Sequence, residues 1–176
     1  MAEIIKVYKE HLPALRFIGK CYTNKDRGND GSYSGTWGEW FQKGWFTELE
    51  KLGEADNIEN GYLGFMRCNG CDFENTFEYW IGIFFPPNTN VPAGFDYIDL
   101  EEGNIGVCFI KGNETDGSIY AMHDACIKKL QENAMANFKS DEQNRAYFFE
   151  RYNCPRFTEK DEHGDIILDY GIYLAD

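Results

Sequence analysis

Long apolar runs are missing from this chain. Its longest, Trp80 to Pro87, is far shorter than the ~20 residues a membrane-crossing helix needs. The first residues, Met1-Ala2-Glu3-Ile4-Ile5-Lys6, lack the basic region and apolar core of a targeting peptide, so a cytoplasmic protein with no membrane role is expected. Positive charge is also scarce, with 17 Lys plus Arg against 30 Asp plus Glu and a net charge of −13. Such a chain repels phosphate backbones and anionic membrane surfaces, which argues against nucleic acid as a direct partner. It favours a cationic ligand or a basic protein partner, although acidity also serves solubility. Histidine is limited to His11, His123 and His163, scattered along the sequence. No Gly-rich phosphate loop, nucleophile elbow or metal signature occurs, so neither a cofactor nor a metal is expected. Of the six cysteines, Cys68 and Cys71 form a lone CxxC with no further ligands at zinc spacing. In a reducing compartment all six should be thiols.

Aromatic residues, by contrast, make up 16% of the chain. They are densest in Arg145-Ala146-Tyr147-Phe148-Phe149-Glu150-Arg151-Tyr152-Asn153-Cys154-Pro155, which reads as a strand ended by Asn153 and Pro155. Strand alternation places Phe148, Glu150 and Tyr152 on one face and Tyr147, Phe149 and Arg151 on the other. A carboxylate held between aromatic side chains is costly unless something compensates its charge. A cationic guest would do so, and the rings would attract it through their faces. A solvated edge, or an Arg or Lys neighbour, explains the same residue without a ligand.

In chain order, Ile4 to Glu10 and Leu15 to Tyr22 read as strands, followed by a Gly/Asp/Asn/Ser-rich loop from Asn24 to Gly35. Thr36 is a plausible N-cap for a helix from Trp37 to about Leu52, closed by Gly53. Trp37, Phe41, Trp45, Leu49 and Leu52 form its apolar stripe, with Phe41, Trp45 and Leu49 expected in the core. Trp37 and Trp40, in the first turn beside the loop, are candidates for lining a mouth. Strands at Tyr62 to Cys68 and Phe77 to Phe85 follow, and Glu78 beside Trp80 repeats the acid-next-to-aromatic pairing of Glu150. Pro86 to Pro92 reads as a linker. Beyond it come strands at Phe95 to Leu100 and Ile105 to Lys111, a helix from Ile119 to about Met135, the Glu150 strand, and a last strand from Ile166 to Leu174.

Strand–strand–helix–strand–strand thus occurs twice. It predicts an α+β fold built as a tandem pseudo-twofold repeat of two modules, about 1–87 and 92–176. The eight strands should form two four-stranded antiparallel arrangements, one per module and each with one main helix, with a central cleft between them.

Pro92-Ala93-Gly94-Phe95, the run Phe149-Glu150-Arg151-Tyr152-Asn153-Cys154-Pro155-Arg156-Phe157, and Asp169-Tyr170 downstream resemble the GyrI-like effector-binding domains. Such domains also form the C-termini of AraC-type and MerR-type multidrug regulators. The resemblance spans about Ile4 to Leu174 and implies a tandem of βαββ-type modules whose central cleft binds lipophilic, often cationic, small molecules. The family's glutamate, in an aromatic-Glu-x-Tyr context, corresponds to Glu150, and its last position to Tyr152. Unlike the regulators, this chain begins almost directly with its first strand, which points to a stand-alone binding protein.

Three readings follow. The first is a small-molecule binding protein using Glu150, Tyr152, Phe148, Trp80, Glu78, Trp37, Trp40 and Tyr120. The second is a hydrolase of strained cyclopropane-type xenobiotics, as reported for some stand-alone GyrI-like proteins, with Glu150 and Tyr152 as the catalytic pair. The third is an acidic interaction protein of the gyrase-inhibitor kind.

Overall fold

The computed structural model describes all 176 residues. Eight strands form one antiparallel sheet: β1 (Glu3–Leu12), β2 (Leu15–Tyr22), β3 (Tyr62–Cys68), β4 (Glu78–Phe85), β5 (Asp96–Leu100), β6 (Gly103–Gly112), β7 (Ala146–Tyr152) and β8 (Ile166–Tyr173). The helices are few and short: α1 (Ser34–Lys43), α2 (Trp45–Glu50), α3 (Phe73–Thr76) and α4 (His123–Glu132). None is long and apolar enough to cross a membrane.

The strand order is β1-β6-β8-β7-β3-β4-β2-β5. Two separate four-stranded sheets were expected, but β3 and β7 pair along seven residues and join everything into a single eight-stranded sheet. Each half also lends its first strand to the other, since β1 pairs with β6 and β5 with β2. These long-range pairings cannot be read from local alternation. They also bend the sheet. Only Pro13 and Ala14 separate β1, first in the order, from β2, seventh in the order. Only Glu101 and Glu102 separate β5, at the far edge, from β6, second in the order. Links this short require the two ends of the sheet to curl toward each other.

Curling gives the sheet an inner face with its own core, in which Phe17, Phe65, Phe84, Phe149 and Trp80 pack around Leu12, Leu15, Ile105 and Val107. The outer face carries α1, α2 and α4. There Trp40, Phe46, Leu49, Cys126 and Leu130 pack on Ile18, Ile81, Leu168 and Ile172. Alternation along β7 assigns its residues accordingly, Phe148 to the helix side and Phe149 to the inner core.

The expected single helix from Trp37 to Leu52 is in fact two. Gly44, at φ 70°, occupies the left-handed region, closes α1 and starts α2. The break changes which residues face the sheet. Phe41, expected in the core, is 60% exposed, whereas Phe46 beyond the break is buried. Trp45 is only partly buried and carries the Lys20 ammonium 4.3 Å from its ring.

Candidate functional site

Glu150 stands on β7 near the middle of the sheet, on the helix-bearing face. Its neighbours in the ladder are Gly64 on β3 and Tyr170 on β8. Gly64 supplies the space. A Cβ there would lie 2.7 Å from the Tyr79 hydroxyl and 3.4 Å from Glu150 Oε2, so any side chain would displace what surrounds the carboxylate.

Tyr152, two residues along the same face, donates its hydroxyl hydrogen to Glu150 Oε2 at 2.9 Å. Trp37 of α1 meets the Tyr152 ring edge-on at 4.7 Å, and Phe157 meets it at 4.6 Å from another side. Trp37 Nε1–H also donates to the Tyr79 hydroxyl oxygen at 2.9 Å, while Tyr33 stacks flat on Tyr79 at 4.0 Å. On the α4 side, Phe148 and Tyr170 stack at 6.1 Å, and the His123 ring lies 4.8 Å from Phe148. The Tyr170 hydroxyl and His123 Nδ1 are 2.6 Å apart. Glu150 therefore lies on the floor between the two helical layers, among tyrosine and tryptophan side chains.

Its electrostatics follow from that position. Part of Glu150 remains accessible, yet protein surrounds it closely enough that burial pushes its carboxyl up to about 7, against which the Tyr152 hydrogen bond acts to lower it. No arginine or lysine offsets the burial. The carboxyl acts on its surroundings in turn. Burial, then the Glu150 charge, raises Tyr152 well above the usual phenol range and pushes Tyr120 up to about 12. His123 is lowered by burial, so its imidazole is neutral at pH 7.

The other acid-beside-aromatic pair is of a different kind. Glu78 and Trp80 project from β4 to the opposite face, where Trp80 joins the inner aromatic core. Both Glu78 oxygens are engaged: Oε2 accepts from Arg67 Nε and Trp80 Nε1, each at 2.8 Å, and Oε1 accepts from Arg145 at 2.7 Å. Burial would raise this carboxyl, but those hydrogen bonds and the charges of Arg67 and Arg145 outweigh it and hold it low. Glu78 and Trp80 are removed from the candidate site on that ground. Trp40 is removed as well, being fully buried beneath α1 with its Nε1–H donated to the Tyr22 hydroxyl. Glu150, Tyr152, Phe148 and Trp37 do come together, and Tyr120 lies near enough to feel the Glu150 charge.

The sequence reading named neither Tyr79 nor Gly64 as a site residue, and Tyr170 only within the family resemblance. Their places depend on the β3–β7 and β7–β8 registers, which no local signal carries. It also left Arg151 without a partner. That side chain is fully buried on the inner face, donating to Asp169 Oδ2 at 2.9 Å and to both Glu10 oxygens at 3.0–3.1 Å. Arg156 grips the same Asp169 from its other side.

Two surface depressions, of about 300 and 430 Å³, lie around Lys139 and Ser140 and contain none of the side chains around Glu150. Their acids are largely neutralised, with Asp99 held by Arg16, Glu101 by Lys139 and Asp141 by Arg145. At the Glu150 floor, by contrast, burial raises a carboxyl that no arginine or lysine compensates, which makes that floor the stronger candidate.

The model of the GyrI-like small molecule binding domain matches residues 5–168. The chain belongs to the GyrI-like family. Among solved structures it is similar to a putative bacterial transcription regulation protein from Staphylococcus aureus MU50, with 19% identity and a TM-score of 0.63 over 97% of this chain and 99% of that one. It is also similar to SAV2435, solved bound to tetraphenylphosphonium, with 18% identity and a TM-score of 0.65 over 97% and 94% of the two chains. An integron cassette protein from Vibrio cholerae is more distant, at 13% identity and a TM-score of 0.51 over 98% of each chain. No curated protein matches the sequence. At these identities the structural likenesses establish the GyrI-like fold alone.

Proposed function

We propose that this GyrI-like protein binds lipophilic, cationic or aromatic small molecules on the floor between α1 and α4, with Glu150 as the counter-charge. One observation carries the reading: a carboxylate among aromatic rings that no arginine or lysine compensates. Family membership and the SAV2435 complex with tetraphenylphosphonium support it. Trp37, Tyr152, Phe148 and Tyr120 would hold the guest by ring contact, together with Tyr79 and Tyr170. Binding at this site needs neither membrane nor nucleic acid, and we assign the protein to the cytoplasm.

The same reading takes residues 1–87 and 92–176 as two modules related by a pseudo-twofold axis. In support, exchanging each strand for its counterpart in the other half reproduces the strand order reversed. Gly82 lies opposite Leu63 and Gly171 opposite Phe149. If these glycines correspond, so do Gly64 and Glu150, and the axis passes between them. Two glutamates there would confront each other. A glycine in one half and a glutamate in the other leave a single charge with space beside it.

A second reading rests on the carboxyl at about 7 beside the Tyr152 hydroxyl, a protonation range suited to a general base or acid in hydrolysis of a strained ring. The two readings separate by experiment. Calorimetric titration with tetraphenylphosphonium should saturate at one equivalent and weaken on Trp37→Ala. Absence of saturable binding, or indifference to that change, would remove the first reading. Turnover of a cyclopropane-bearing electrophile that disappears in Glu150→Gln, while binding persists, would establish the second.

A further inference from the structure

The charge balance at Glu150 has a consequence beyond binding itself. Every element packed around the carboxyl supplies a neutral or uncharged group. On its own strand that group is Tyr152, a donor to Oε2. On β3 it is Gly64, with Cys68 further along the same face. On β4 it is Tyr79, whose oxygen already accepts from Trp37 of α1. On β8 it is Tyr170, tied to the neutral His123 at the start of α4. The 3-10 turn before α4 (Ser118–Ala121) brings Tyr120, and α4 itself brings the Cys126 thiol. None carries positive charge at neutral pH, so an ionised Glu150 would be an unbalanced charge in a crowded apolar setting. Such a group is neutralised either by a proton or by an ion that moves in.

We propose that Glu150 carries an exchangeable proton in the ligand-free protein and that a guest cation displaces it, making cation capture an electroneutral exchange. The inference rests on the binding reading and adds regulation of the same site by pH. The carboxyl loses its O–H proton to solvent as the cation arrives, so the net charge of the floor is unchanged. The burial that holds the group near neutrality without a guest is consistent with this. It follows that a neutral molecule of similar shape enters without proton release and is held best where the proton is retained.

The test is calorimetric titration of the full chain with tetraphenylphosphonium at three pH values, each in two buffers that both hold that pH and differ in protonation heat. The exchange predicts release of about one proton per cation near pH 6, about half near pH 7 and almost none near pH 8.5, with affinity rising roughly tenfold per pH unit at the acid end. Triphenylphosphine oxide, a neutral relative of the probe, should release none. Glu150→Gln should bind the cation more weakly and release no proton at any of the three. An infrared difference spectrum gives a second readout, in which a protonated-carboxyl band, absent from Glu150→Gln, disappears on adding the cation. Glu150-dependent binding without proton release, or a carboxylate already ionised near pH 6, would overturn the exchange and leave the binding reading standing. No cation binding at all would end both.

Discussion

Gly64 and Glu150 face each other across the β3–β7 ladder, a residue with no side chain opposite the acid around which the floor is arranged. The Tyr79 hydroxyl fills part of the space a Cβ would take, and Tyr79 has little freedom to retreat because Trp37 bonds its hydroxyl and Tyr33 covers its ring face. The local geometry of the site therefore depends on this glycine as much as on the glutamate.

Gly64→Ala should destabilise the protein by about 1–3 kcal/mol, the usual cost of inserting a methyl into packed surroundings. Tyr79→Phe removes the atom it would strike. Combined with Gly64→Ala, it should recover part of the loss, giving a non-additive cycle in urea unfolding. Strict additivity of the two changes would show that Tyr79 does not limit the space.

The stability of the fold should depend on pH through Glu150. Its folded carboxyl is raised from 4.5 to about 7, so between those values the folded state holds a proton that the unfolded state has lost. The contribution is fully present below pH 4.5 and is lost as pH rises through 7. Glu150→Gln keeps the neutral form at every pH. It should match wild type near pH 4.5 and exceed it above about pH 7.5, by on the order of 3 kcal/mol at most. A constant difference between the two proteins across this range would contradict the raised carboxyl.

Glu78→Gln is the contrasting case. Glu78 bonds Arg67, Arg145 and Trp80 on the other face, so its loss should cost about 1–3 kcal/mol of stability and leave cation affinity unchanged. Altered cation affinity in a folded Glu78→Gln would return Glu78 to the site.

Arg151→Met should be among the most destabilising single changes, at about 3–5 kcal/mol, because it strips one partner from the buried Asp169 and leaves Glu10 unpaired on that side. Thermal unfolding checks this, and a loss below about 1 kcal/mol would mean that Arg156 alone satisfies Asp169.

Much of this fold was legible in the sequence because strands announce themselves by alternation. The bounds of β2 and β3 agree residue for residue with the sequence reading, and the two faces of β7 are as alternation assigns them. Pairing was not legible. Nothing near β3 says that it lies beside β7, and without that register neither Gly64 nor the joining of eight strands into one sheet can be seen. Nor could Glu78 be distinguished from Glu150. Each stands two residues from an aromatic partner, and the difference lies in Arg67 and Arg145, 11 and 67 residues away from Glu78 in the chain. The helix break at Gly44 was visible only as a glycine within an apolar periodicity, and burial of Phe46 rather than Phe41 follows from it.

On the proposed reading, Glu150 serves as counter-charge to a cation held among rings. The most direct measurement compares wild type with Glu150→Gln for tetraphenylphosphonium and for neutral triphenylphosphine oxide, at one ionic strength and near pH 8, where the carboxyl is ionised. The predicted result is a loss of about 2–5 kcal/mol in cation binding with no loss for the neutral probe, which Glu150→Gln should bind at least as well as wild type. Equal affinity of both proteins for the cation, at a site that Trp37→Ala weakens, would contradict it.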